Sequence, residues 1–315
     1  MPPLPKPLSE KSINRMLSKW KPEIADVLHD FFRQCSNLYG AIELYDAWDI
    51  FKVFHKGIRK KDFMEFSSVA RREDLPYYVL EVDEIYPDDP RRIEDRFIVN
   101  KELVNWGFNR FVMLQRLYNK QCYKPFYVPE DLSKFSAGDG VQVNPAWVKF
   151  CDLIGSFKSP DGVPISEYKH ISEHDEFNLE LEKAAWAKQR LMDQFDRPLA
   201  DRLLDRTRIF MHIGYENAFK YLAEQLEEHE IYPTEEEAIR MMELFMKANN
   251  TSNLWVNRGW APLNMARPKI DPNDPDIDIV IHFDEGVKAA IARGELDASE
   301  IEKKLDELGL KYEWD

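Results

Sequence analysis

Apolar residues recur at helical spacing through Ile13, Met16, Trp20, Ile24, Val27, Leu28 and Phe31, which predicts a helix from a Ser9 cap to about Phe32. After a turn at Tyr39-Gly40, two shorter helices are predicted over Tyr45 to Phe54 and Lys61 to Ala70, with Gly57 between them. The spacing then changes. Pro76 opens a run of strand formers, Tyr77 to Val82, and a second run follows at Arg96 to Val99 beyond a loop rich in Pro and Asp. Two such runs around a polar connection read as a β-hairpin. Helical spacing resumes from Trp106 to about Lys120. Further helices are predicted over Trp147 to Phe157, Asn178 to Gln194, Leu199 to Ile213 and Tyr215 to Glu228. Thr234 and Glu237 have the spacing of a capping box and open a last bundle helix, which runs to about Ala248.

This order gives a fold class: mainly α, with a winged-helix-like N-terminal module that carries a β-hairpin, followed by a helical bundle. The expected divisions are a flexible proline-rich arm at 1–8, the winged-helix-like module at 9–121 and a connecting loop at 122–142. The bundle follows at 143–267, and an acidic tail with a short strand and two helices occupies 268–315. The longest apolar runs are a few residues, so no membrane partner is expected. The start of the chain has no apolar signal region, and three scattered cysteines fit a reducing compartment, so a cytoplasmic location is expected.

Three passages carry a resemblance: Leu38-Tyr39-Gly40-Ala41-Ile42, Lys124-Pro125-Phe126-Tyr127-Val128-Pro129, and Asn249 through Pro262 with its core Leu254-Trp255-Val256-Asn257-Arg258-Gly259-Trp260. Over about residues 30–265 the chain resembles uncharacterised cytosolic proteins of Gram-positive bacteria whose C-termini often carry a SEC-C zinc motif. The resemblance implies no activity. This chain also departs from it, because no cysteine follows Cys151 and a tetrahedral zinc site of that type cannot form.

Charge changes the picture in one place. The chain has a net charge of −14, yet Lys52 to Arg72 holds seven basic and two acidic residues. Lys56, Arg59, Lys60, Lys61, Arg71 and Arg72 are therefore the candidate nucleic-acid contacts, since Lys and Arg neutralise a phosphate backbone. The acidic tail is expected to shield this patch. A patch docking a protein, with no nucleic-acid role, is the bland alternative. Arg258, flanked by Trp255 and Trp260, is a candidate anion or partner contact. His170-Ile171-Ser172-Glu173-His174 matches the H-x-x-E-H pattern, which on a helix would place His170 and His174 on one face to hold zinc for a hydrolase. Phosphate-binding glycine loops and the nucleophile elbow are missing from the sequence, and no cofactor is expected. The sequence reading is a non-enzymatic binding or regulatory protein, with the zinc hydrolase as the enzyme alternative.

Overall fold

The computed structural model describes residues 4–86, 93–104, 110–122, 124–182, 185–265, 280–282, 291, 297–307 and 311–313. It is mainly helical, with a small three-stranded antiparallel sheet, and divides into two compact units at residues 1–265 and 266–315. Among the described residues, no helix is long and apolar enough to cross a membrane.

The first unit starts with α1 (Glu10–Leu17) and α2 (Pro22–Tyr39). The sequence pattern merged these into one helix, but Pro22 sits in the first turn of α2. Its ring fits there and would clash inside a continuous helix. Three elements follow: β1 (Ala41–Glu43), α3 (Leu44–Phe54) and α4 (Lys60–Ala70). The expected hairpin is present as β2 (Tyr77–Leu80) and β3 (Phe97–Asn100), separated by the one-turn α5 (Val82–Ile85). The hairpin is two-thirds of a sheet: β1 pairs with the other side of β3, giving the order β1-β3-β2.

That sheet separates two cores. Ile42, Tyr77, Val79 and Ile98 face an aromatic core of α2, α3 and α4, whereas Ala41, Leu80, Phe97 and Val99 face a second core built from the later helices. A strand buried on both faces reads as a continuous apolar run, which is the Phe97-Ile98-Val99 pattern. The first core is a mesh of rings: Phe31 meets Phe51 edge-on at 4.9 Å, and Phe32 meets Phe63 at 5.2 Å.

The second core gathers α6 (Val112–Gln121), α7 (Pro145–Ser156), α10 (Leu199–His212), α11 (Ala218–Glu228) and α12 (Glu235–Thr251). The stretch expected as one helix over 178–194 is two, α8 (Glu173–Leu181) and α9 (Ala185–Phe195). The capping box forms as expected. Thr234 Oγ1 accepts from the Glu237 amide at 3.3 Å, and Glu237 Oε2 accepts from the Thr234 amide at 2.8 Å. Asn144 caps α7 by accepting from the Ala146 amide, and its own amide donates to Thr251 and Ser252 at the end of α12. The unit closes with α13 (Pro262–Met265).

Two segments expected to be loose are tied into the fold. In the arm, the Leu8 amide donates to the Arg72 carbonyl at 2.8 Å and Leu4 packs against the second core. In the connecting stretch, Leu132 and Phe135 are buried, and Asn37 donates to the Phe135 carbonyl at 2.7 Å. In the second unit, β4 (Val280–His282) pairs parallel with β5 (Lys311–Glu313), and α14 (Ala298–Glu307) lies between them in sequence. The first of the two tail helices expected from the sequence lies almost wholly outside the described residues, as do the linker prolines.

Candidate nucleic-acid interface

α3 ends at Phe54, and the chain turns through Gly57, whose φ of +96° suits a residue without a side chain, before α4 begins. This turn brings Lys56, Arg59, Lys60 and Lys61 to one end of α4. Arg59 is 77% exposed and forks onto Asp62 at 2.8 and 3.0 Å, Lys61 lies 3.7 Å from Glu65, and the Lys60 ammonium sits 4.8 Å above the Tyr45 ring. Lys56 is exposed. Exposed pairs such as these are weak, so a phosphate can displace the carboxylates at little cost. Cations in the first turn of a helix also oppose the helix dipole, an arrangement that an arriving anion relieves.

The other two patch residues lie at the far end of α4, about 16 Å along an eleven-residue helix. Arg71 corrects the sequence expectation. Its side chain is 17% exposed, holds both Glu84 oxygens and donates to the Val79 carbonyl at 3.0 Å. Arg96 joins the same cluster through Glu81, Ser67 and Ser68. The Arg71 guanidinium therefore ties α4 to β2 and α5, and its geometry is fixed inside the fold. Arg72 remains exposed; its guanidinium approaches the Lys6 carbonyl at 3.4 Å. The six-residue patch thus becomes a four-residue cluster and one separate arginine.

Arg258 is also held by the fold. It occupies the left-handed region (φ +49°), lies 4.3 Å over the Phe126 ring and donates to the Lys124 carbonyl at 2.8 Å. Its own carbonyl accepts from the Tyr127 amide. The three passages quoted for the resemblance meet here. Tyr39 donates to the Tyr127 carbonyl, Trp255 Nε1 donates to the Asn37 carbonyl, and Gln121 bridges the Tyr39 and Trp255 carbonyls. What those passages share is a packing knot, and an anion contact at Arg258 is not supported.

The H-x-x-E-H reading fails on geometry. α8 starts at Glu173, so His170 sits in irregular chain and the four-residue spacing places no common helical face. The side chains of Glu173 and His174 lie outside the described residues. His170 instead meets His229, 59 residues away, with their Nδ1 atoms 2.9 Å apart, and Tyr168 stacks on it. Among the described residues, no three His, Cys, Asp or Glu side chains are grouped to hold a metal.

Burial holds His229 below its ordinary range, with Asp175 pulling the other way. Burial lowers His29 and His55 in the same direction. An unfolded imidazole takes up its proton near pH 6.5 while these folded ones resist it, so stability is full above that pH and declines below it. Urea unfolding should show a lower midpoint at pH 5 than at pH 7, and His229→Gln should flatten that dependence. An unchanged slope in His229→Gln would mean that His229 does not contribute to that dependence.

One cluster gave no sequence signal. Asp139, 2% exposed, faces the Arg208 guanidinium on one oxygen, while the other oxygen lies 2.9 Å from His212 Nε2 and accepts from the Val141 and Gln142 amides. His212 is fully buried and stacks on Trp255 at 4.0 Å. Buried together, these groups tie the 138–142 turn to α10. The chain matches no family model, no curated protein and no solved structure.

Proposed function

We propose that this is a non-enzymatic binding protein whose first unit contains a winged-helix module, and that α4 meets the phosphate backbone of nucleic acid through Lys56, Arg59, Lys60 and Lys61. The order α2-β1-α3-α4-β2-β3 with sheet order β1-β3-β2 carries this reading. Helices followed by a hairpin are the order expected of a winged-helix-like module, and on this reading α4 corresponds to the later helix, the one that approaches DNA in helix-turn-helix modules. Cations gathered at the start of that helix supply the electrostatic term.

Fluorescence anisotropy of labelled oligonucleotides with the full chain tests it. Four neutralised phosphates should weaken binding roughly 50- to 150-fold between about 50 and 200 mM salt. Lys56→Glu and Arg59→Glu should each weaken binding and shallow that salt slope. Binding that ignores both salt and charge reversal, or no binding at all, rejects the proposal and turns the cluster into a protein-docking face.

A further inference from the structure

We propose that the nucleic acid bound by this module is single-stranded and lies in the groove between α1 and α4, with an unpaired base on Trp20, a second base beyond the groove on Tyr45, and phosphates on Lys19, Lys60 and Lys61. This rests on the reading of α4 just given and narrows it. The groove measures about 620 Å³ and has an apolar floor that includes Met16, Trp20 and Met64. That volume lies in the range of about 300–1,000 Å³ that takes a small organic ligand, the scale of a nucleobase.

The shape of the α1–α4 pair excludes the usual duplex geometry. The major groove of DNA is about 12 Å wide and admits one helix, which is itself about 10–12 Å across. The two exposed residues of α4, Lys61 and Glu65, both line the α1–α4 groove, so the outward face of α4 is one wall of it. Met16 and Lys19 belong to the other wall, and Trp20 packs edge-on against Phe66 of α4 at 5.7 Å. Packed helices have axes about 8–10 Å apart, so the pair presents a ridge about 20 Å wide. Such a ridge cannot enter the major groove. A single strand can follow the cleft between the two helices instead.

The chemistry fits the same occupant. Tyr45 is 50% exposed and carries the Lys60 ammonium over its ring, while Trp20 lines the groove together with Lys60 and Lys61. Aromatic faces alternating with cations are what an unpaired strand needs, because bases stack and phosphates pair at successive steps. Among the described residues that line the groove, three are lysines and one, Glu65, is a carboxylate. An acidic peptide would satisfy the lysines and the floor but gives no role to the exposed Tyr45 ring.

The test compares a labelled oligothymidylate, a duplex of the same length and polyglutamate, each with the full chain. The oligothymidylate should bind about ten-fold or more tightly than the duplex, and Tyr45→Ala should weaken it by about ten-fold, the scale of one lost base stack. Lys19→Glu, on an exposed side chain, should weaken it as well. Circular dichroism of both variants should match the wild type. Equal or tighter duplex binding overturns the single-strand inference and leaves the nucleic-acid reading standing. Oligothymidylate binding that is indifferent to Tyr45→Ala and Lys19→Glu overturns the groove as its place. No binding of either nucleic acid, with or without polyglutamate binding, overturns both readings.

Discussion

Asp139→Ala is expected to destabilise the first unit by about 3–5 kcal/mol, the cost of removing one partner from a buried ion pair. Arg208 is 3% exposed, and without Asp139 its remaining carboxylates are Glu102 at 2.7 Å and Asp205 at 3.5 Å, both near the surface. The variant also leaves the Val141 and Gln142 amides without their acceptor. Asp139→Asn keeps the shape and one acceptor oxygen, so its loss should be smaller. Pairing Asp139→Asn with Arg208→Met should cost less than the sum of the two single changes, because no buried charge is then stranded. Denaturant midpoints at constant slope measure all four variants, Arg208→Met alone included. A loss under about 1 kcal/mol for Asp139→Ala would mean that water reaches Arg208 and that the cluster is not closed.

The same carboxylate gives an acid dependence with a definite sign. Burial alone would raise its pKa, but His212, Arg208 and the Gln142 amide outweigh burial and hold it well below the usual carboxylate range. An unfolded aspartate takes up its proton near pH 4, and the folded one does not. Its contribution is therefore complete above about pH 4 and disappears as pH falls further. Asp139→Asn should lack that component, and its stability should fall less steeply between about pH 4 and pH 2 than that of the wild type.

Local signals in the sequence were readable, and distant partners were not. Thr234 and Glu237 announce a helix start because both halves of the box lie within four residues. The strand formers of 77–80 and 97–99 find each other because nothing else nearby competes for them. β1 is three residues long and pairs with a strand about 55 residues later, so no local pattern marks it. The charge window of 52–72 leaves out Asp49, Glu81 and Glu84, which lie just beyond it. In the fold, Lys52 pairs with Asp49 at 2.6 Å, and Arg71 is drawn to the two glutamates. His170 was read with a neighbour four residues away and found one 59 residues away. Asp139 lies in a Gly-Asp-Gly turn that resembles any surface loop until α10 supplies Arg208 and His212. In each case the error is one of range: the partner that decides the role of the side chain is far along the chain.

Gly40→Ala tests the knot where these three passages meet, and it should cost about 2–5 kcal/mol. Gly40 has a φ of +70°, which strains an L-residue by about 1–2 kcal/mol. A Cβ there would stand 2.6, 2.7 and 2.8 Å from three ring atoms of Trp255, and overpacking of this kind costs typically 1–3 kcal/mol more. Trp255 has no room to retreat, since it is fully buried, stacked on His212 and bonded to the Asn37 carbonyl. Gly57→Ala is the matched control: its φ is +96°, but a Cβ there meets nothing within 4 Å. It should show the backbone strain alone, about 1–2 kcal/mol. A thermal unfolding midpoint measured for both variants separates the two effects. A clearly larger fall for Gly40→Ala places the difference in the contact with Trp255, and with it the reason Gly40 and Trp255, 215 positions apart, belong to the same pattern. Equal falls would reduce Gly40 to a turn residue and leave Trp255 to be explained by its hydrogen bond and stacking alone.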